Sequence, residues 1–540
     1  MNSSTVDTFA YDNLPPPEQW PELLFTLPHL RYPEHLNAAA DLLDAWVARG
    51  HGDRVAIVTP RRTLTYALLL AEANRIANIL RDELHLVPGN RVLLRGYNDA
   101  TMAAAWLAVL KAGCIAVTTM PLLRAKELTD VITLANVGAA LCDARLADEL
   151  TSAAAKCPML TQTIYFYHDG PDGLEARMAR TSGAFENVDT AATDIALIGF
   201  TSGTTGKPKG TIHFHRDVLA ICDTFPPAHV GAGPEDRFTG TPPIAFTFGL
   251  GGLLLFPLRA GASTLLLESA PPQTLLAAIA EYRATLCFAS PTTFRAMAPL
   301  AANYDLSSLR LCVSAGETLP AATRKVWEDA SGVRIVDGIG STEMLHIFIA
   351  SSGDDVRPGS TGTPVPGYVA AILDDDGRPV GPGIVGRLAV KGPTGCRYLA
   401  DPRQAAYVQN GWNLTGDAYL ADEDGYFWFQ ARTDDMILAS GYNIAGPEVE
   451  GALLAHPDVA ECAVVGAPHP ERGTIVKAFV VLHGGVANDE RTVRALQDFV
   501  KATIAPYKYP RAIEFVTALP RTETGKLQRF KLRDEAAVRS

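Results

Sequence analysis

The run Thr201-Ser202-Gly203-Thr204-Thr205-Gly206-Lys207-Pro208-Lys209-Gly210 gathers hydroxyls, glycines and two lysines into one short stretch. Glycines at 203, 206 and 210 let the backbone turn tightly enough for its N–H groups to converge on phosphate oxygens. Thr201, Ser202, Thr204 and Thr205 add hydroxyl donors, and Lys207 and Lys209 add positive charge. A plain turn between strands needs none of this, so the run is expected to grip the phosphates of a nucleotide. The rival is the G-x-x-x-x-G-K-[ST] loop, which leads from a strand into a helix. Here Pro208 follows Lys207, and Thr211-Ile212-His213-Phe214-His215 alternates as a strand does. The loop is therefore expected to join two strands, with a helix starting near Asp217.

Elements to position such a loop are legible on both sides of it. Continuous apolar runs such as Arg91-Val92-Leu93-Leu94, Ile195-Ala196-Leu197-Ile198 and Leu309-Arg310-Leu311-Cys312-Val313 suit strands covered on both faces. Helical patterns lie between them, at Ala71 to Leu84 and at Ala100 to Ala112, the latter closed by Gly113. This alternation predicts an α/β fold. Near Arg432-Thr433-Asp434-Asp435 the character changes, and helix-like Gly446 to Ala455 and strand-like Ala478 to Leu482 begin a compact second unit. Its end is basic, with Lys501, Lys508, Arg511, Arg521, Lys526, Arg529, Lys531 and Arg533.

Composition narrows the function classes. A chain of 540 residues, 47% hydrophobic and 20% charged, can bury large cores and should form at least two domains. Its net charge of -12 argues against a nucleic-acid or anionic-membrane binder, which needs a basic face. The most apolar stretch, Ile244 to Leu267, is broken by glycines, Pro257 and Arg259, so it reads as buried core and not as a membrane span. Eight scattered cysteines without a C-x-x-C pair read as reduced core thiols, and the N-terminal Asp7, Asp12 and Pro15-Pro16-Pro17 do not resemble an export signal. A cytoplasmic protein is expected. Association into a homodimer is left open by the sequence.

The loop closely resembles the signature of the adenylate-forming superfamily: acyl- and aryl-CoA synthetases, luciferases and peptide-synthetase adenylation domains. Further segments resemble the superfamily in the expected order: Gly340-Ser341-Thr342-Glu343, Thr415-Gly416-Asp417, Arg432-Thr433-Asp434-Asp435 and Pro520-Arg521-Thr522-Glu523-Thr524-Gly525-Lys526. The resemblance implies a large N-terminal domain of stacked sheets and helices, residues 1–433, that binds ATP and the acid. It also implies a smaller, mobile α+β C-terminal domain, residues 434–540, that carries a catalytic lysine. Both substrates are anionic, so attack of a carboxylate on the α-phosphate of ATP needs charge neutralisation and alignment more than covalent help. On this resemblance Thr342 would contact phosphate and Glu343 would hold Mg²⁺. Asp417 would accept the ribose hydroxyls, Arg432 would contact ribose or phosphate, and Lys526 would reach the α-phosphate and the incoming carboxylate. Glu317 and Asp337 would lie at the nucleotide, Asp337 at the adenine edge. Two positions depart from the superfamily's pattern: Ile339 stands where an aromatic often stacks on adenine, and Ala431 where glycine usually precedes the arginine.

The resemblance further implies that the small domain rotates about a hinge at Asp434 so that a thiol can attack the adenylate. Gly441 and Tyr442 would line the path of the pantetheine arm. Gly338-Ile339-Gly340-Ser341-Thr342-Glu343-Met344-Leu345-His346, Gly210 to Asp217, and Ser314-Ala315-Gly316-Glu317 look like benzoate-type CoA ligases, which makes coenzyme A the expected acceptor and a separate carrier protein the alternative. Ala315, Gly316 and Gly340 would leave a flat slot, with Phe246 as an aromatic wall and His346 toward the ring substituent, which suits a planar aromatic acid. Segments Ala105 to Gly113 and Thr118 to Arg124 look most like the 2-aminobenzoate branch. His213 and His215 are expected to be structural. From another class, an inactive nucleotide sensor is the competing reading, weakened by the joint presence of Thr342, Glu343, Asp417, Arg432 and Lys526.

Overall fold

A computed structural model describes residues 3–202, 208–432, 435–439, 442–469, 473–504, 506–521 and 527–538. Two large sheets dominate the N-terminal part. One has six strands in the spatial order Gln162–Phe166, Ala139–Asp143, Arg91–Arg95, Ile115–Thr119, Ile195–Ser202 and Pro208–Phe214, all parallel except the last pair. The other has nine strands, with a parallel centre that includes Arg237–Gly240, Leu286–Ala289, Leu311–Ser314 and Ile335–Gly340, and antiparallel pairs at both ends. The apolar runs read as strands are strands for the reason given: Arg91–Arg95 is buried along its whole length.

Helix Ala100–Lys111 shows how the layers meet. Asp99 caps it by accepting from the Thr101 N–H at 2.7 Å, and Gly113 turns out of it at φ +67°, where a Cβ would lie 3.0 Å from Val188. Every residue of the helix is buried. An Ala-rich helix is thin enough to be enclosed on all sides, and its core cluster takes side chains from both large sheets. The Ile244 to Leu267 stretch folds into short helical segments and the strand Ser263–Leu265 of the nine-stranded sheet. Gly252 is required there, because a Cβ would lie 2.4 Å from the Phe288 ring. Among the described residues no helix is long and apolar enough to cross a membrane. All eight cysteines are buried and free, as the apolar runs around them predict.

A five-stranded antiparallel sheet follows, in which Trp412–Ala421 pairs with both Gly386–Lys391 and Phe427–Arg432. Beyond it the chain builds a separate three-stranded sheet from Val459–His469, Gly473–Leu482 and Ala512–Phe515, with helices Gly446–Leu454, Glu490–Thr503 and Arg529–Val538. Two buried clusters serve this part, and all their members lie between residues 437 and 536. The C-terminal part thus has cores of its own, as the change in sequence character predicts. Asp434 lies outside the described residues.

Candidate active site

The hairpin of Ile195–Ser202 and Pro208–Phe214 sets the frame, with Thr201 opposite Lys209 and Ser202 opposite Pro208. Helix His215–Phe225 follows the second strand at once, so two antiparallel strands lead into a helix, as the alternation at 211–215 predicts. Gly203, Thr204 and Thr205 lie outside the described residues, and Ser202 is described by its backbone alone. Thr201 Oγ1 is buried without a hydrogen-bond partner. Lys209 leaves the hairpin toward Tyr398, donating to its hydroxyl at 2.8 Å, and Tyr398 in turn donates to Glu343 Oε1 at 2.5 Å. The Lys209 ammonium lies 3.6 Å from the same carboxylate oxygen. Burial first, then the Glu343 charge, push the Tyr398 phenol far above its ordinary value, so it stays a proton donor.

Thr342 and Glu343 sit in the turn after strand Ile335–Gly340, and a buried polar chain fixes that turn from below. His213 donates through Nε2 to the Thr342 carbonyl at 2.7 Å, and its Nδ1 lies 3.6 Å from Asp217, which pairs with Arg397 at 3.0 Å. Asp217 and Arg397 are fully enclosed. Burial opposes ionisation of Asp217, yet Arg397 and His213 hold its carboxyl down to about 2. Gly199 on the hairpin lets Thr342 approach: a Cβ there would meet the Thr342 methyl at 2.9 Å. Leu345 closes the turn at φ +68°, a left-handed conformation costing on the order of 1–3 kcal/mol for a bulky residue, held by complete burial. His215 does not join this chain; its Nδ1 accepts from the Ala38 N–H, a structural task.

Asp417 and Arg432 face each other across paired strands, their side chains 3.1 Å apart, and Arg432 also donates to the Thr415 carbonyl. Gly416 turns at φ +77°, and a Cβ there would fall 2.8 Å from the guanidinium. Two tyrosines lie within electrostatic reach of the carboxylates: half-buried Tyr407 feels the charges of Glu343 and Asp417, and buried Tyr419, whose hydroxyl meets Thr361, feels those of Asp417 and Asp337. Asp337 is itself buried, with Oδ1 unpartnered, and burial pushes its carboxyl up to about 7 despite the opposing charge of Arg324.

Phe246 and Gly316 follow, and Gly340 ends, three strands of the parallel centre of the nine-stranded sheet at their carboxyl edge, where open α/β sheets hold ligands. Gly316, at φ +88°, borders open space, Ala315 beside it is buried, and Ile339 is half-buried. A Cβ on Gly340 would come within 2.7 Å of the His346 carbonyl. The His346 imidazole is enclosed by Phe225, Phe248 and Phe256, and neither ring nitrogen makes a hydrogen bond of good geometry, although the Phe248 backbone lies close enough to be felt. Burial lowers it to about 3, so the ring is neutral. Gly251 makes room, since a Cβ there would lie 2.4 Å from the imidazole.

Glu317, expected at the nucleotide, has both carboxylate oxygens engaged, one by Thr292 Oγ1 at 2.6 Å and one by Arg521 at 3.1 Å. Tyr442 is described by its backbone in strand Tyr442–Ile444, whereas Gly441 and Lys526 lie outside the described residues. Lys209, Thr342 and Glu343 are therefore brought together, and Asp417 with Arg432 forms a second pair, with Tyr407 near both Glu343 and Asp417. Sequence reading missed Tyr398, Tyr407 and Arg397. Their segment carries no compositional signal, and the partners lie 55 positions away for Tyr398 and 180 for Arg397.

The sequence profile of AMP-binding enzymes matches residues 44–398, and that of the AMP-binding enzyme C-terminal domain matches residues 448–526. The benzoate–CoA ligase of Thauera aromatica is 35% identical over 517 residues, spanning 94% of this chain and 98% of that protein. A solved anthranilate CoA ligase in complex with anthranoyl-AMP superposes with a TM-score of 0.90 at 35% identity, covering 94% and 98% of the two chains. A benzoate CoA ligase from Burkholderia xenovorans LB400 superposes with a TM-score of 0.84 at 32% identity, covering 92% and 100%.

Proposed function

The chain belongs to the AMP-binding enzyme family, and from that premise we propose that it is an ATP-dependent acid–CoA ligase acting on a benzoate-type acid, with 2-aminobenzoate as its preferred substrate. The observation that carries the chemistry is the Lys209, Tyr398 and Glu343 chain beside Thr342. It presents one cation, one fixed phenol and one carboxylate at the mouth of a hydroxyl-rich hairpin. The acid is drawn from the open space at Gly316 and from the relatives that are benzoate and anthranilate CoA ligases.

In this reading the hairpin loop and Lys209 hold the ATP phosphates, and Asp417 with Arg432 orients the ribose. Asp337, with its carboxyl near half-protonation at neutral pH, meets the adenine edge. Glu343 is a buried carboxylate next to a hydroxyl, with Oε1 already met by Tyr398 and Lys209, and it would hold Mg²⁺, which would supply positive charge against the phosphates. Lys526 brings a second positive charge to the acid and the α-phosphate. The acid oxygen attacks phosphorus, pyrophosphate leaves, and the coenzyme A thiol then attacks the acyl carbon and releases AMP. We assign residues 434–540 to the mobile domain, Asp434 to its hinge, and Gly441 with Tyr442 to the thiol path.

His346 supports the finer choice of acid. A neutral imidazole whose nitrogens make no hydrogen bond of good geometry can accept one from a ring amino group, whereas unsubstituted benzoate leaves it unsatisfied. The test is acid-dependent exchange of pyrophosphate into ATP over benzoate, 2-aminobenzoate, salicylate and 4-hydroxybenzoate, followed by CoA-dependent AMP release. The highest kcat/KM is expected with 2-aminobenzoate. Exchange with none of these acids in a folded sample overturns the substrate class, and AMP release that needs a carrier protein in place of free CoA overturns the acceptor.

A further inference from the structure

Arg521 stands five positions before Lys526, in a segment of the C-terminal part, and reaches across to the large domain. One guanidinium nitrogen lies 3.1 Å from Glu317, and another lies 2.8 Å from Glu461 of its own domain. Glu317 is aimed by Thr292, whose hydroxyl donates to its other oxygen at 2.6 Å. One turn along the same helix, Pro291–Met297, Arg295 donates to the backbone carbonyls of Val459 and Ala460, both at 3.0 Å. Two arginines thus cross the same boundary in opposite directions, one from each side.

From this geometry, and resting on the reaction proposed above, we infer that Arg521 and Glu317 form a clasp that fixes the C-terminal domain in the orientation used for adenylate formation and that opens before the thiol attacks. Five residues of extended chain span at most about 17 Å, so anchoring Arg521 confines where the Lys526 backbone can lie. Glu317 immediately follows Gly316 of the proposed acid slot, which puts the anchor beside the acid that the lysine must meet. The clasp is built to be reversible. Arg521, Glu317 and Glu461 are 26%, 20% and 41% exposed, and ion pairs this accessible bias an orientation without freezing it. Arg521 is accordingly a positioning residue.

The experiment separates the two half-reactions in the full chain, using whichever acid supports exchange. In Arg521→Gln, kcat for pyrophosphate exchange is expected to fall about tenfold with little change in KM for ATP or acid. CoA-dependent turnover of preformed acyl adenylate should stay level or rise. Arg521→Lys should restore part of the exchange rate, and Thr292→Val should reproduce a milder loss with both charges retained. Equal loss in both halves, or a rise in KM for ATP as the main effect, overturns the inference. An activity-independent readout uses spin labels at Lys325→Cys and Arg494→Cys, both 74% exposed, which is feasible because the native cysteines are buried. The distance distribution should be narrow in the parent and broad in Arg521→Gln. Identical distributions overturn the clasp even if no tested acid is activated, whereas a failure of every acid with altered distances overturns only the proposed reaction.

Discussion

The turn that carries Thr342 and Glu343 and the boundary that carries Arg521 are both built from charged side chains, but they are built for opposite purposes. Around the turn, His213, Asp217 and Arg397 are fully enclosed, and the chain from Lys209 through Tyr398 ends on a buried carboxylate. At the boundary, Arg521, Glu317 and Glu461 all retain contact with solvent. An enclosed ion pair is expensive to break because each partner is left desolvated and unpaired, while an accessible one costs little to break because water replaces it. Burial thus sorts permanence: the enclosed groups around the turn are fixed once, whereas the accessible ion pairs we propose as a clasp can let go at little cost.

Breaking the enclosed side should have the largest effect. Arg397→Met leaves Asp217 buried without its cation and is expected to cost about 3–5 kcal/mol in urea unfolding. If the loss is under 1 kcal/mol, enclosure is not what fixes the turn. Lys526→Ala addresses the domain we propose to be mobile: acid-dependent exchange should fall by on the order of 10²–10³-fold, while CoA-dependent consumption of preformed adenylate persists. Loss of both to the same degree would remove the contrast between a fixed site and a travelling lysine.

Asp337→Asn sharpens the enclosed side through pH. Folding raises the Asp337 carboxyl to about 7 from an ordinary 3.8, so the neutral form is the one the fold prefers. The destabilisation from ionising it is absent below pH 4, grows as pH rises, and is complete above pH 7. The asparagine variant should therefore gain stability over the parent by on the order of 2 kcal/mol at pH 8, with the gap shrinking toward pH 4 in paired melting curves. A gap independent of pH would show that the carboxyl is not titrating in the fold. The smallest effect is expected at the slot: His346→Leu should lower the preference for 2-aminobenzoate over benzoate by about tenfold, near 1.4 kcal/mol, read as the ratio of the two kcat/KM values.

Much of this arrangement could be read from the sequence because the readable parts are local. The hairpin follows from the 211–215 alternation, the enclosed helix from its alanines and Gly113, and the pairing of Thr342 with Glu343 from adjacency. The helix read at Ala71 in fact starts at Tyr66, because Thr65 caps it and the following Leu68-Leu69-Leu70 masks the start as a plain apolar run. What stayed hidden is long-range. Tyr398 meets Glu343, Arg397 meets Asp217, and Arg521 meets Glu317 only because the fold brings loops and a helix far apart in the chain to the same place. Nothing in the residues flanking an arginine says which distant acid it will find, and a tyrosine in an unremarkable stretch gives no sign that its hydroxyl will aim a carboxylate.

The nine-stranded sheet carries one more consequence, for synthesis. Its early strand Val55–Val58 is flanked by Thr63–Thr65 on one side and by Ser263–Leu265 on the other, a partner roughly two hundred residues later. At ribosomal speeds of about 5–20 residues per second, that strand waits on the order of 10–40 s with an apolar edge unpaired. That edge is therefore an aggregation risk until residue 265 is made, well after the six-stranded sheet that holds the 195–214 hairpin is complete, and slowing translation after residue 265 should matter far less for yield than slowing it before.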